Sequence, residues 1–263
     1  IDASYRGEDV SNIYVSKTLL NSSYYAYILK TDVNGERLAG AKLRLLDDQE
    51  NVIDEWITST NEIHKVLKLT PNLEYNLEEV SPASGYATAE PIRFYLDTDG
   101  KIYQKVDDEN DTEVSFVNME DDELKVAIDV VEKDSNKPLT EGKITIINKE
   151  TNDVVYEGKL NGDTNNISKI PTGNYEIKIT EVGKDGYIEK TQDIVVSDTK
   201  ETQKTTVEVD YTKLQFKYID EETKERLKDA TLEIVDENGK VITFFITTDS
   251  SDFSIDKIPA GKY

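Results

Sequence analysis

Short runs of alternating apolar and polar residues recur along the chain. Three of them open the same unit: LAGAKLRLLDDQENVI over 38–53, LTEGKITIINKETNDVV over 139–155 and LKDATLEIVDENGKVI over 227–242. Each reads as a strand of period two, an acidic turn and a second strand, so the pattern predicts a tandem array of all-β units. A Pro four residues before a Tyr puts the copies in register, at Pro71 and Tyr75, Pro171 and Tyr175, and Pro259 and Tyr263. The resulting division is a first repeat over 24–121, a second over 122–211 and a partial third over 212–263. Residues 1–23 form either an added strand, around SNIYVSK, or the tail of a preceding domain.

Register also fixes which way side chains point, because successive residues of a strand face opposite sides of the sheet. In the first strand of the second repeat Val126, Ile128 and Val130 share a face, and in the third Leu214, Phe216 and Tyr218 do. Lys30 stands at the matching place of the first repeat and is therefore expected in the core. After the Pro, Tyr75, Leu77 and Glu79 alternate where the second repeat has Tyr175, Ile177 and Ile179. In the closing strand Val114, Phe116 and Asn118 alternate against Val207, Val209 and Tyr211. Three polar residues of the first repeat thus become apolar or aromatic together in the second.

Burying an unpaired amine, carboxyl and amide costs several kcal/mol. One account is a buried Lys–Glu ion pair capped by an Asn. The other is that the three react: desolvation lowers the pKa of a Lys and raises that of a Glu, so Lys30 becomes a nucleophilic amine and Glu79 a neutral acid. Glu79 then polarises the Asn118 carboxamide and relays protons while Lys30 attacks, ammonia leaves, and an amide joins the side chains. Contact enforced by the fold supplies the effective concentration.

The segments ILKTDVNGERLAGAKLRLLDD, LTPNLEYNLEEVSPASGY and VSFVNMED resemble the prealbumin-like Cna B-type domains of Gram-positive pilins and surface adhesins. The family pattern is a Lys ahead of D-x-x-x-G-x-x-L-x-G-A, a Y-x-L-x-E strand leading to a Pro-containing loop and G-Y, and a closing V-x-N strand. The resemblance covers about residues 24–121. It implies prealbumin-like, Ig-like Greek-key β-sandwiches, with Lys30 and Asn118 as the cross-linked pair and Glu79, not Glu78, as the catalytic acid. It also implies an extracellular, cell-wall-anchored stalk or adhesive region whose anchor lies outside this segment. Its partners would be host-surface or matrix ligands or neighbouring pilin subunits, and its chemistry a single turnover, not enzymatic activity. The second repeat departs from the reactive pattern at Val130 and Ile179, with Glu181 and Asp210 near enough for a shifted site. No bond is expected there.

Composition narrows the partners. The chain has 263 residues, 31 Lys plus Arg against 54 Asp plus Glu, and a net charge of −23, which disfavours nucleic acid and anionic membrane. It has no cysteine, so no disulfide can staple its domains. No apolar run reaches the length of a membrane-spanning helix. DTDGKIY (97–103) and DENGK (236–240) read as hairpin turns, not calcium loops, and the single His64 has no cysteine partner, so no metal or cofactor is expected. Trp56, the only Trp, reads as packed on its sheet. Two other classes stay open: a carbohydrate- or matrix-protein-binding β-sandwich module, marked by an exposed aromatic row, and an accessory domain of a secreted hydrolase.

Overall fold

The structure, a computed structural model, describes residues 4–5, 8–9, 24–107, 110–250 and 252–263. Strands carry nearly all of the regular structure. Two dipeptide strands, β1 (Ser4–Tyr5) and β2 (Glu8–Asp9), pair with each other, and SNIYVSK lies outside the described residues. The chain divides into one compact unit of residues 1–124 with 198–201 and a second of residues 125–197 with 202–263.

In the first unit nine further strands follow: β3 (Tyr24–Asp32), β4 (Lys42–Leu46), β5 (Val52–Ile57), β6 (His64–Leu69), β7 (Tyr75–Ser81), β8 (Ile92–Leu96), β9 (Ile102–Lys105), β10 (Asp111–Val114) and β11 (Val117–Asp121). They form a six-stranded sheet ordered β10-β9-β8-β7-β4-β5 and a three-stranded sheet ordered β11-β3-β6. The first strand, β3, runs parallel to the last, β11, and antiparallel to β6. Alternation supplies the core between the sheets: Ala26 and Ile28 from β3, Leu43 and Leu45 from β4, Tyr75 and Leu77 from β7, Val117 and Met119 from β11. Each fully buried Leu contributes roughly 1.5–3 kcal/mol relative to exposure.

The second unit repeats the plan with β12 (Lys125–Glu132), β13 (Lys143–Asn148), β14 (Val154–Lys159), β15 (Asn165–Ser168), β16 (Gly173–Thr180), β17 (Lys190–Val196) and β18 (Gln203–Val209). Their sheets are ordered β15-β12-β18 and β14-β13-β16-β17, and β12 again runs parallel to β18. Beyond them β19 (Lys213–Phe216) pairs with β22 (Phe253–Asp256), and β20 (Thr231–Val235) with β21 (Val241–Ile246).

Turn chemistry explains the acidic linkers. Asp97 Oδ1 accepts the amides of Asp99 and Lys101, and Asp236 Oδ1 those of Asn238 and Lys240. Gly100 and Gly239 then take φ of +84° and +79°, the left-handed region a glycine enters without a Cβ penalty. These carboxylates close turns on their own backbone.

Leu77 is fully buried at the centre of the first core. Leu77→Ala is expected to cost about 2–5 kcal/mol, read by urea denaturation through the fluorescence of Trp56, which belongs to that unit. A cost below about 1 kcal/mol would contradict the packing described.

Candidate functional site

Strand parity carries Lys30 into the first core. Along β3 the inward residues are Ala26, Ile28 and Lys30, and along β7 they are Tyr75, Leu77 and Glu79. Both polar residues therefore lie on the apolar faces expected of them. The side chains of Lys30 and Glu79 are 1 % and 0 % exposed, and Lys30 Nζ stands 2.8 Å from Glu79 Oε1. Glu79 projects from the larger sheet and Lys30 from the smaller, so their contact spans the sandwich.

The third member is Asp121, not Asn118. Along β11 the buried residues are Val117, Met119 and Asp121, while Asn118 and Glu120 point the other way. Asp121 Oδ1 accepts a short hydrogen bond from Lys30 Nζ, and its side chain is wholly buried. The Asn118 amide instead donates to Thr31 Oγ1 at 3.0 Å and to Glu120 Oε1 at 3.1 Å, on the outer face of β11 and β3. The structure thus does not bring Asn118 to Lys30. The reason is parity: Phe116, aligned above with an inward residue, is 44 % exposed, and the alternation restarts at Val117 after a bend. A one-residue slip turns every side chain of a strand to the opposite face.

Pairing registers give the correct alignment. The amide of Leu38 donates to the Lys30 carbonyl as that of Leu139 does to Val130, which equates Lys30 with Val130. Met119 pairs with Lys30 and Val207 with Val130, so Asp121 corresponds to Val209, two residues on. Glu79 pairs with Leu43 as Ile179 pairs with Ile144. The trio Lys30, Glu79 and Asp121 is therefore replaced in the second repeat by Val130, Ile179 and Val209, all buried. The match is M-x-D over 119–121 with V-x-V over 207–209, an alignment that the strand pairing supplies and the residues alone do not. Glu181 is exposed and Asp210 pairs at 3.0 Å with half-exposed Lys133, so the second repeat gathers no such cluster around these acids.

Electrostatics separates Asp121 from an ordinary buried acid. Burial, reinforced by the neighbouring Glu79 carboxyl and opposed by Lys30, pushes Asp121 up from 3.8 to about 7. One cation faces two carboxyls, and a proton shared into the cluster removes the surplus negative charge. Asp121 Oδ2 and Glu79 Oε1 have no hydrogen-bond partner of good geometry, whereas Glu79 Oε2 accepts the Ala89 amide at 2.7 Å. The contrast is Glu132, a buried acid of the second unit bonded by Lys257, Tyr187 and Ser135, whose pKa these donors, Lys257 foremost, hold below the usual value. An amine within reach of a buried carboxylic acid, with a second carboxyl as proton acceptor, is an arrangement suited to amide formation.

Aromatic residues sit elsewhere. Trp56 stacks on His64 with ring centroids 4.0 Å apart, and His64 Nε2 is 2.8 Å from Asp54 Oδ2, so one face of the indole is occupied by the protein itself. Tyr25 and Tyr27 meet edge to face on the outside of β3, with Lys65 Nζ 3.8 Å from the centre of the Tyr25 ring.

A family model described as SpaA, prealbumin-like fold domain, matches residues 26–112 and 212–263, more than half of the chain. None of the curated proteins is significantly similar to it. Among solved structures, the TIE protein of Bacillus anthracis is 20 % identical over 90 % of this chain and 44 % of its own, with a TM-score of 0.45. BcpA, the major pilin subunit of Bacillus cereus, is 14 % identical over 91 % and 86 %, at 0.36. The C-terminal fragment of the pilus adhesin SpaC of Lactobacillus rhamnosus GG is 10 % identical over 72 % and 97 %, at 0.42. The chain spans less than half the length of the Bacillus anthracis protein.

Lys30→Met keeps most of the stem and removes the cation, which leaves Asp121 buried without its counter-ion. The native state of this variant then holds a proton that the unfolded chain releases above pH 3.8, and without Lys30 to oppose burial it keeps that proton beyond the wild-type value of about 7, so its stability falls as pH rises from about 4 through neutrality. Compared with Lys30→Met/Asp121→Leu, the loss is expected to approach about 1.4 kcal/mol per pH unit in urea titrations. Parallel pH profiles of the two variants would contradict a raised Asp121.

Proposed function

The chain belongs to the family of SpaA prealbumin-like fold domains, and on that premise we propose that it is a structural stalk segment of a Gram-positive surface protein or pilus. Its first repeat, 24–121, is locked by an autocatalytic amide between Lys30 and Asp121. The second, 122–211, is a sandwich without a bond, and 212–263 begins a third. The segment works outside the cell, with neighbouring pilin-like subunits or surface ligands as partners. One observation carries this reading: a buried Lys30–Glu79–Asp121 cluster whose three counterparts in the sister repeat are Val130, Ile179 and Val209.

The step balances without any co-reactant. Lys30 passes one ammonium proton to Glu79 across their 2.8 Å contact, and the freed lone pair attacks the carbonyl carbon of protonated Asp121. The C–O bond then breaks. The hydroxyl leaves with a second Lys30 proton as water, relayed by Glu79, and the third stays on the amide nitrogen. Glu79 ends protonated. A protonated Asp121 is the competent electrophile, since a carboxylate resists attack, and burial holds the proton there up to about pH 7. Bond formation should therefore slow as pH rises above that value.

The bond would join positions 91 residues apart, and closing a loop of that span is worth about 4–5 kcal/mol in the chain-entropy model. Tyr25 and Tyr27, 43 % and 38 % exposed, give the adhesive reading a surface on the same repeat, without competing for the core.

Intact-mass measurement tests the bond. The folded chain is expected to be lighter than its sequence by one water, and Lys30→Ala, Glu79→Ala and Asp121→Ala should each restore the calculated mass. Asn118→Ala should leave the water missing. A wild-type mass equal to the calculated one would end this reading, and loss of ammonia, abolished by Asn118→Ala, would move the bond to Asn118. In a second measurement, Glu79→Ala is expected to lower the melting temperature of the first repeat while the second melts unchanged. Equal melting of wild type and variant would mean that no stabilising cross-link forms.

A further inference from the structure

Glu79 presents two oxygens that are treated differently. Oε1 faces Lys30 at 2.8 Å and lacks a hydrogen-bond partner of good geometry. Oε2 accepts the backbone amide of Ala89, itself buried, at 2.7 Å. An amide N–H can only donate, so a proton gained by Glu79 cannot sit between Oε2 and Ala89. The Ala89 bond therefore favours Oε1 as the protonated oxygen, on the side of the amine and the acid.

The segment that carries Ala89 is tied to the strand of the electrophile. The Ala87 amide donates to the Asp122 carbonyl at 2.9 Å, and the Leu124 amide donates to the Gly85 carbonyl at 2.9 Å. Tyr86 and Glu123 form an antiparallel bridge between them. Residues 85–87 are thus fastened to 122–124, directly after Asp121, and Ala89 follows two residues later. The frame that aims Glu79 is therefore fastened to the strand of Asp121.

Resting on the cross-link reading above, we propose that the Ala89 backbone N–H is the positioning group of the reaction. It anchors Glu79 Oε2 and leaves Oε1 alone to take the proton from Lys30 and deliver one to the departing hydroxyl. The side chain of Ala89 has no part in this.

Ala89→Pro removes the donor without touching any reacting group. The full chain is refolded from denaturant and the loss of water followed with time by mass. The variant is expected to react roughly ten- to a hundredfold more slowly, the rate equivalent of one hydrogen bond to a charged group, whereas Ala89→Gly, which keeps the N–H, should react at the wild-type rate. A folded Ala89→Pro chain with the wild-type rate, or an Ala89→Gly chain as slow as Ala89→Pro, would overturn the proposal. Should this variant not fold, the amide proton of Ala89 is followed by NMR in the unreacted Asp121→Ala chain. Its resonance is expected to move upfield and its exchange with solvent to quicken in Asp121→Ala/Glu79→Ala, and an unchanged shift and exchange rate would overturn the proposal equally. If wild type itself loses no water, the cross-link reading fails before the role of Ala89 arises.

Discussion

The contact on which the first repeat turns is the one between the Lys30 amine and two carboxyls, Glu79 and Asp121, inside an apolar sandwich. Three ionisable groups without water are expensive to bury unless they share protons and hydrogen bonds. Here the smaller sheet supplies Lys30 and Asp121 from adjacent parallel strands, and the larger sheet supplies Glu79 from the opposite side. The pairing of the two sheets and the meeting of the three groups are thus one event. Folding delivers the amine to the acid, and burial raises Asp121 into the range where it holds a proton near neutrality.

The second repeat shows what the fold needs when no such chemistry is built in. Val130, Ile179 and Val209 fill the same three positions as ordinary core residues, all nearly or fully buried. Architecture alone therefore does not demand a polar trio. The sandwich thus accepts aliphatic packing at the places where the first repeat buries three ionisable groups, and with no cysteine in the chain no disulfide can staple either repeat. In the proposed cross-linked form, with β3 running parallel to β11, tension entering along β3 would cross from Lys30 to Asp121 and leave along β11, past the strands between them.

Much of this was legible in the sequence. The repeat landmarks at Pro71 and Tyr75 and at Pro171 and Tyr175 fix the faces of β3 and β7, and Lys30 and Glu79 stand inward as period-two alternation requires. The closing strand was harder, because Val114 ends β10, Phe116 lies in a bend and is exposed, and the alternation restarts at Val117. Nothing in that short acidic stretch reveals where one strand stops and the next begins. Only the pairing of Met119 with Lys30 and of Val207 with Val130 brings Asp121 into line with Val209. The Ala89 amide is less legible still: a backbone donor carries no side-chain signature, and its place depends on hydrogen bonds from 85–87 to 122–124.

Fragmentation mass spectrometry of a tryptic digest tests the central claim most directly, because Asp121 and Asn118 fall on the same peptide, 106–125, and only the position of the branch tells them apart. A Lys30–Asp121 amide gives a branched species in which the uncleaved peptide around Lys30 is joined to that peptide at Asp121. Two separate linear peptides, or a branch at Asn118, would contradict it.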